Sequence, residues 1–354
     1  MTIAQLPAWT WASPIAGLLL LPLIGMGAPI HVALVAALIA SVLAAVHHAE
    51  VVAHRVGEPY GTLILAVAVT MIEVALIVSL MIEGGPATAA LARDTIFAAI
   101  MIILNGMVGL CLLVGGAQAF GLYGVSAGLT TLSALAVLTL VLPNHTTSVA
   151  GPFYSASQLI FVAIVSVVLY GTFVLIQTVR HRDYFLPAGA AAADETAHAP
   201  PPPASVAWIS AGLLLVSLGA VVLLAKALSP TLERAVSEAG APKPLVGIII
   251  AAVVLLPESL AAYRAARADR LQTSLNLALG SALASIALTV PTVAVLSVVL
   301  GWNLVLGLEP KDSILLAISL LVAALSLGTG RTTVLQGAVH LVLFAVFVFT
   351  TIVP

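Results

Sequence analysis

Of the fourteen acidic side chains in this 354-residue chain, twelve fall where the sequence turns polar: Glu50, Glu58, Glu83, Asp94, Asp183, Asp194, Glu195, Glu233, Glu238, Asp269, Glu309 and Asp312. Two stand apart. Glu73 lies in the middle of GTLILAVAVTMIEVALIVSLMI, and Glu258 lies inside LVGIIIAAVVLLPESLAAY. A charged carboxylate at the centre of a membrane-depth helix costs at least about 2.5 kcal/mol, so it persists only where it faces a cavity or a partner. No Lys or Arg occupies the middle of an apolar run to serve as that partner, and Lys226 stands near the end of one, where it can snorkel. Two such carboxylates suit one chemistry. A hard cation such as Ca²⁺ takes six to eight oxygens, and two carboxylates neutralise it while hydroxyls, carbonyls and water complete the shell. Without the cation, desolvation and mutual repulsion make the doubly charged pair costly, so protons bind as the metal leaves. Competition for the same oxygens is exchange. The alternative is that each Glu is a protonated residue that hydrogen-bonds between helices. The matching positions of the two argue against it.

Supporting oxygens are sought on the neighbouring runs. In ADRLQTSLNLALGSALASIALTVPTVAV, Ser274, Ser281 and Ser285 fall within one narrow helical stripe, with Thr289 beside it. Ser281 and Ser285 are candidate hydroxyl ligands, although small residues at this spacing also serve close helix packing. Asn105 and Asn276 are candidate site-facing amides. Thr70 stands one turn before Glu73, where a threonine can also bond back to its own helix. Elsewhere, VHHAEVVAHRVGEP gathers His47, His48, Glu50 and His54 at the end of a run. These four are candidates for a cytoplasmic pH-sensing or cation-collecting cluster, since His titrates near neutrality; the bland reading is a solvated interfacial helix.

The elements that must position these groups are membrane helices. With 62% hydrophobic and 7% charged residues, and a mean hydropathy of +1.21, the chain cannot keep a water-soluble surface around one core. Its apolar runs have the 17 to 25 residues of membrane-crossing helices, and the alternating pattern of an outer-membrane barrel is absent. A single cysteine, Cys111, builds neither a disulfide framework nor a cysteine-rich zinc site. A net charge of −2 leaves no basic footprint for nucleic acid. The start of the chain lacks the basic region of a cleavable signal.

Eleven spans are expected, at about 12–27, 30–46, 59–82, 95–116, 124–142, 157–180, 206–228, 244–264, 271–299, 312–327 and 333–352. The fold class is therefore all-α and polytopic. Residues 1–28 form an extra N-terminal helix and 29–180 a first five-helix repeat. The proline- and alanine-rich stretch 181–205 is a cytoplasmic linker, and 206–354 form a second repeat. Five spans per half set the halves in opposite orientations, so an inverted repeat is expected, with Glu73 and Glu258 in equivalent helices that meet at the midplane. Arg55, Arg180, Arg182, Arg264, Arg267, Arg270 and Arg331 fall on one side, against Arg93, Arg234, Lys243 and Lys311 on the other. The richer side is expected in the cytoplasm, which puts the N-terminus inside and the C-terminus in the periplasm.

Two segments carry a family resemblance. GEPYGTLILAVAVTMIEVALIV, within about 57–116, resembles the first α-repeat of the calcium/cation antiporter superfamily, with Glu73 at its acidic ion ligand. PESLAAYRAARADRLQTSLNLALGSALASIALTVP, within about 244–299, resembles the second, with Glu258 as the matching acid and Gly280-Ser281-Ala282 at the small-residue stretch of the next helix. The last segment, from Glu309 onward, is similar to the end of the cation/proton exchanger branch, which includes the bacterial Ca²⁺/H⁺ antiporters. The resemblance implies a ten-helix inverted-repeat core plus one N-terminal helix in a bacterial inner membrane. It also implies exchange of cytoplasmic Ca²⁺ for protons, and no organic cofactor. The usual Gly-Asn before each acid is replaced by Thr70-Met71-Ile72 and by Leu256-Pro257, so an asparagine ligand is missing next to each Glu. Fewer oxygens favour a monovalent ion and keep Na⁺ and K⁺ beside Ca²⁺. Two other classes compete with this one. An intramembrane enzyme needs a dyad at depth, but no Asp lies mid-span, and His145 and His340 have no evident partner. A passive cation channel also uses carboxylates, and proton coupling separates it from an antiporter.

Overall fold

A computed structural model describes residues 6–57, 60–185, 201–242 and 244–353. Among them are eleven helices long and apolar enough to cross a membrane, labelled here in chain order. They are α1 (Ala8–Met26, its last turns 3-10), α2 (Ala28–Val56), α3 (Tyr60–Gly84), α4 (Leu91–Gly115) and α5 (Leu122–His145). There follow α6 (Ala156–Arg180), α7 (Ala204–Glu238), α8 (Pro244–Arg267), α9 (Leu271–Leu300), α10 (Pro310–Leu327) and α11 (Val334–Ile352). The described residues hold no strand, only one antiparallel bridge between Ala119 and Arg331. Each expected span is matched by a helix, because without water only a helix satisfies its own backbone inside a single segment. Most of the expected linker, residues 186–200, lies outside the described residues, as do Lys243 and the Glu58-Pro59 pair.

Two helices run well past their expected ends. α2 continues through the histidine cluster to Val56, and α7 continues ten residues beyond 228 to Glu238. Hydropathy reads only the apolar part of a helix, whereas Ala, Leu, Glu and Arg propagate it into the polar zone. At 35 residues, α7 is about 50 Å long and exceeds a hydrocarbon layer of roughly 30 Å. Two helix starts are fixed by reciprocal capping boxes, Ser155 with Gln158 on α6 and Thr333 with Gln336 on α11.

The helices fall into two compact units, each drawing on both halves of the sequence. The first comprises residues 1–83 and 199–246, and so contains α1, α2, α3 and α7. Leu34 of α2 packs with Ala220, Leu224 and Leu228 of α7, and Leu18, Leu21 and Ile24 close on that cluster from α1. α1 is tied to α2 by His48 Nε2, 3.2 Å from the Thr10 carbonyl.

The second unit comprises residues 84–198 and 247–354 and holds α4, α5, α6, α9, α10, α11 and nearly all of α8. α9 packs against α4, α5 and α6, and α11 lies along α4. Two glycines permit that last approach. A Cβ added at Gly337 would lie 2.6 Å from the Leu113 backbone nitrogen, and one at Gly109 would lie 2.9 Å from His340 Cβ. At one end of the unit, the turn after α4 pairs with the turn before α11 through Phe120 N to Gly330 O and Thr332 N to Gln118 O, each at 3.0 Å.

α4, α5 and α6 each contain a π-helical stretch, Ile102–Met107, Val137–Val141 and Ile176–Arg180. The wider turn loosens the carbonyl ladder, and such stretches concentrate at functional sites. In α5 the Leu138 carbonyl accepts a 2.6 Å hydrogen bond from Tyr154 Oη in the following loop. Burial pushes the Tyr154 phenol up to about 12 from 10.0. The raised value means that the burial of this phenol favours the fold fully below pH 10 and loses that contribution as pH climbs through about 12. Tyr154→Phe is therefore expected to flatten the alkaline limb of a thermal-stability profile in detergent; an unchanged limb would contradict this.

Candidate functional site

Glu73 stands thirteen residues after Tyr60, the first residue of α3, and Glu258 fourteen after Pro244, the first of α8. Both are thus mid-helix. On α3 the buried positions Val69, Ile72, Glu73, Leu76, Ile77 and Leu80 recur at helical spacing, so the carboxylate lies within the buried face. Glu73 is 4% exposed and Thr70, one turn earlier, also 4%. The Thr70 hydroxyl donates to the Ala66 carbonyl at 2.8 Å, which leaves its oxygen lone pairs available. On α8, Ala251, Val254, Leu255, Glu258 and Ala262 form the buried face, and Glu258 is 8% exposed. Pro257, immediately before it, has no N–H. The Val253 carbonyl one turn earlier therefore lacks its helical donor.

Asn105 and Ser285 are placed alike. Each stands fourteen residues after the first residue of its helix, Leu91 of α4 and Leu271 of α9. They are 0% and 2% exposed. Ser274 and Thr289 are buried on the same helix as Ser285, whereas Ser281 is half-buried.

Asn276 serves otherwise than as a site-facing amide. Its Nδ2 donates to the Phe185 carbonyl at 2.6 Å, and its Oδ1 accepts from Gln272 Nε2 at 2.9 Å. The Nδ2 end ties the start of α9 to the segment after α6, and the Oδ1 end is held by Gln272 of the same helix. Within the histidine cluster, the His47 and His48 rings meet edge to face at 5.8 Å. His48 turns to α1, and the His47 ring tilts against Trp9 at 5.8 Å, while Glu50 and His54 are exposed. Among the described residues, no three His, Cys, Asp or Glu side chains group as metal ligands.

Sequence reasoning missed a polar network inside the second unit. His340, read as lacking a partner, has Nδ1 3.2 Å from Asn105 Oδ1 and Nε2 2.8 Å from Ser326 Oγ. Asn105 Nδ2 donates to Ser319 Oγ at 2.8 Å. Three helices, α4, α10 and α11, contribute to it. The sequence signal was an isolated polar residue within an apolar run, Asn105, Ser319 and His340, with Ser326 at the end of its run. Near one end of the same unit, Arg93 pairs with Asp94 at 2.7 Å and donates to the Gly307 carbonyl at 3.2 Å. Its charge is consumed in holding that loop.

Eleven membrane-length helices among the described residues, two of them with a buried acid at mid-helix, Glu73 and Glu258, define by class a polytopic integral membrane protein. The family model described as sodium/calcium exchanger protein matches residues 27–179 and 209–353. The chain belongs to that family. It is 48% identical to the y4hA protein of Sinorhizobium fredii, over 99% of this chain and 98% of the relative. It is 37% identical to the sodium-potassium/proton antiporter ChaA of Escherichia coli, over 88% of this chain and 86% of the relative. The solved H⁺/Ca²⁺ exchanger CAX shares the fold at a TM-score of 0.72 and 16% identity, covering 96% of this chain and 86% of that one. The protein is thus a cation antiporter, a secondary transporter whose partners are inorganic cations and the counter-transported ion.

Proposed function

We propose that the protein exchanges cytoplasmic Ca²⁺ for H⁺ by alternating access, with Glu73 and Glu258 as the carboxylates that cation and protons occupy in turn. The observation that carries this reading is the placement of one buried, mid-helix carboxylate in each half of the sequence. Two carboxylates neutralise one divalent cation, or take up two protons in its place, so both loaded states are uncharged and can reorient in the membrane. The Thr70 hydroxyl, the Ser281 and Ser285 hydroxyls and the freed Val253 carbonyl are the candidate supporting oxygens. Asn105 belongs with them through the network that orients it. No organic cofactor enters the cycle. Bacterial inner membrane, with the N-terminus cytoplasmic and the C-terminus periplasmic, is the setting that fits the arginine distribution.

A second reading has its own support. The relative at 37% identity is named for sodium, potassium and protons, and no asparagine immediately precedes either Glu. Na⁺ or K⁺ on the same carboxylates is the alternative. Proteoliposomes with an imposed pH gradient, given Ca²⁺, Na⁺ and K⁺ in parallel, decide between them. Uphill accumulation of Ca²⁺ with collapse of the gradient is the expected result. Collapse with Na⁺ or K⁺ alone selects the second reading, and equilibration without uphill movement rejects both in favour of a channel.

A further inference from the structure

The His340 ring is 0% exposed, as are Asn105 and Ser319, and Ser326 is 4% exposed. A buried polar group leaves few ways to distribute its hydrogens, so the protonation pattern can be worked out by satisfying every atom. The Ser319 hydroxyl donates to the Leu315 carbonyl at 2.7 Å. Its oxygen is then the acceptor for Asn105 Nδ2, which leaves Asn105 Oδ1 facing His340 Nδ1. Two acceptors cannot bond each other, so Nδ1 carries the proton. The Leu104 carbonyl, on the same π-helical stretch, is also within reach of this ring. A neutral imidazole with Nδ1–H has a bare Nε2, which takes the Ser326 hydrogen at 2.8 Å in preference to the Val322 carbonyl, 2.7 Å from the same oxygen, because the opposite choice would require a charged imidazolium. The result is a directed chain from Ser326 through His340 and Asn105 to Ser319 and the Leu315 carbonyl.

From this geometry we infer that His340 is a positioning residue for cation binding. As the neutral Nδ1–H tautomer it fixes the Asn105 amide and, through it, the π-helical turn Ile102–Met107 in the middle of α4. The inference rests on the antiport reading above, since a fixed amide matters to transport only if the mid-helix region of α4 belongs to the cation's path. Two observations support that. Asn105 occupies on α4 the register position that Ser285 occupies on α9. The wide turn that carries it is held from outside its own helix, by α10 and α11. The ring is not assigned a transported proton. Among the described residues, its hydrogen-bond neighbours on α4 and α10 are neutral, the Asn105 amide, the Ser326 hydroxyl and the Leu104 carbonyl. A positively charged imidazole there would have no anion to offset its desolvation.

The test uses two amides that mimic different ring nitrogens. An Asn side chain puts its N–H₂ near the place of Nδ1, whereas Gln reaches the place of Nε2. In the proton-gradient vesicle assay, His340→Asn is expected to keep the cation KM within about twofold of wild type. His340→Gln is expected to raise it roughly tenfold, the loss of one buried hydrogen bond. The pH profile of exchange should stay unshifted in both. Folding is followed by gel filtration in detergent, and a Gln variant that misfolds while Asn folds and transports also supports the assignment. Equal behaviour of the two variants, whether both active or both lost, overturns it, and so does a shifted pH profile in the Asn variant. Wild-type vesicles run alongside judge the antiport reading separately, because their failure to exchange would sink that reading whatever the variants do.

Discussion

Glu73→Gln and Glu258→Gln are each expected to lower proton-coupled cation exchange in proteoliposomes by at least about 100-fold, a loss of roughly 3 kcal/mol of charge-assisted coordination. The change keeps size and shape and removes the charge. Both residues are buried in mid-helix, at 4% and 8% exposed, so a neutral amide in either place is less costly to insert than the ionised acid. Expression and detergent stability should therefore match or exceed wild type, which separates a functional loss from misfolding. If the two carboxylates act as one site, the double variant is no worse than either single one, because the first loss already removes the unit. Glu73→Asp and Glu258→Asp retain charge and withdraw it by one methylene, so partial activity with a raised cation KM is expected from these. Full exchange in either Gln variant would remove that residue from the site.

How much of this was legible in advance follows from what is local and what is not. The helices were legible because each must hide about twenty apolar residues from water, a constraint written into every stretch separately. Glu73 and Glu258 were legible for the same reason in reverse, as charges where charge is costly. The extension of α2 through His47 to Val56 and of α7 to Glu238 was not, since hydropathy falls before the helix ends. The π-helical turns in α4 and α5 were invisible because an inserted residue leaves no mark in an all-apolar run. Asn105 was singled out as an amide at depth, but its bond to His340 joins residues 235 positions apart. Nothing in either neighbourhood announces the other. Asn276 shows the opposite error, an amide of the right type spent on the Phe185 carbonyl. Side-chain chemistry nominates candidates, and only packing decides which of them are already engaged.

Packing of that kind rests on Gly337, and its replacement is the second large effect expected. A Cβ there would sit 2.6 Å from the Leu113 nitrogen, 2.9 Å from the Gly109 carbonyl oxygen and 3.1 Å from the Leu112 carbonyl carbon. All three are backbone atoms of α4, so no side chain can swing aside. α11 must move away from α4 by the better part of an ångström. Overpacking of this kind costs about 1–3 kcal/mol for a single added carbon. The displacement also acts on function, because the His340–Asn105 contact is 3.2 Å and has little slack before it ceases to be a hydrogen bond. Gly337→Ala is thus expected to lower the melting temperature in detergent and to raise the cation KM together, and Gly337→Val to do both more severely. The control is Gly212, on α7 in the other unit, where an added Cβ meets nothing within 4 Å. Gly212→Ala should be neutral or slightly stabilising, since Ala is the better helix former by about 1 kcal/mol. If Gly337→Ala kept wild-type stability and KM, the close approach of α4 and α11 would not be what holds Asn105 in place, and the link from helix packing to cation affinity would fail at that step.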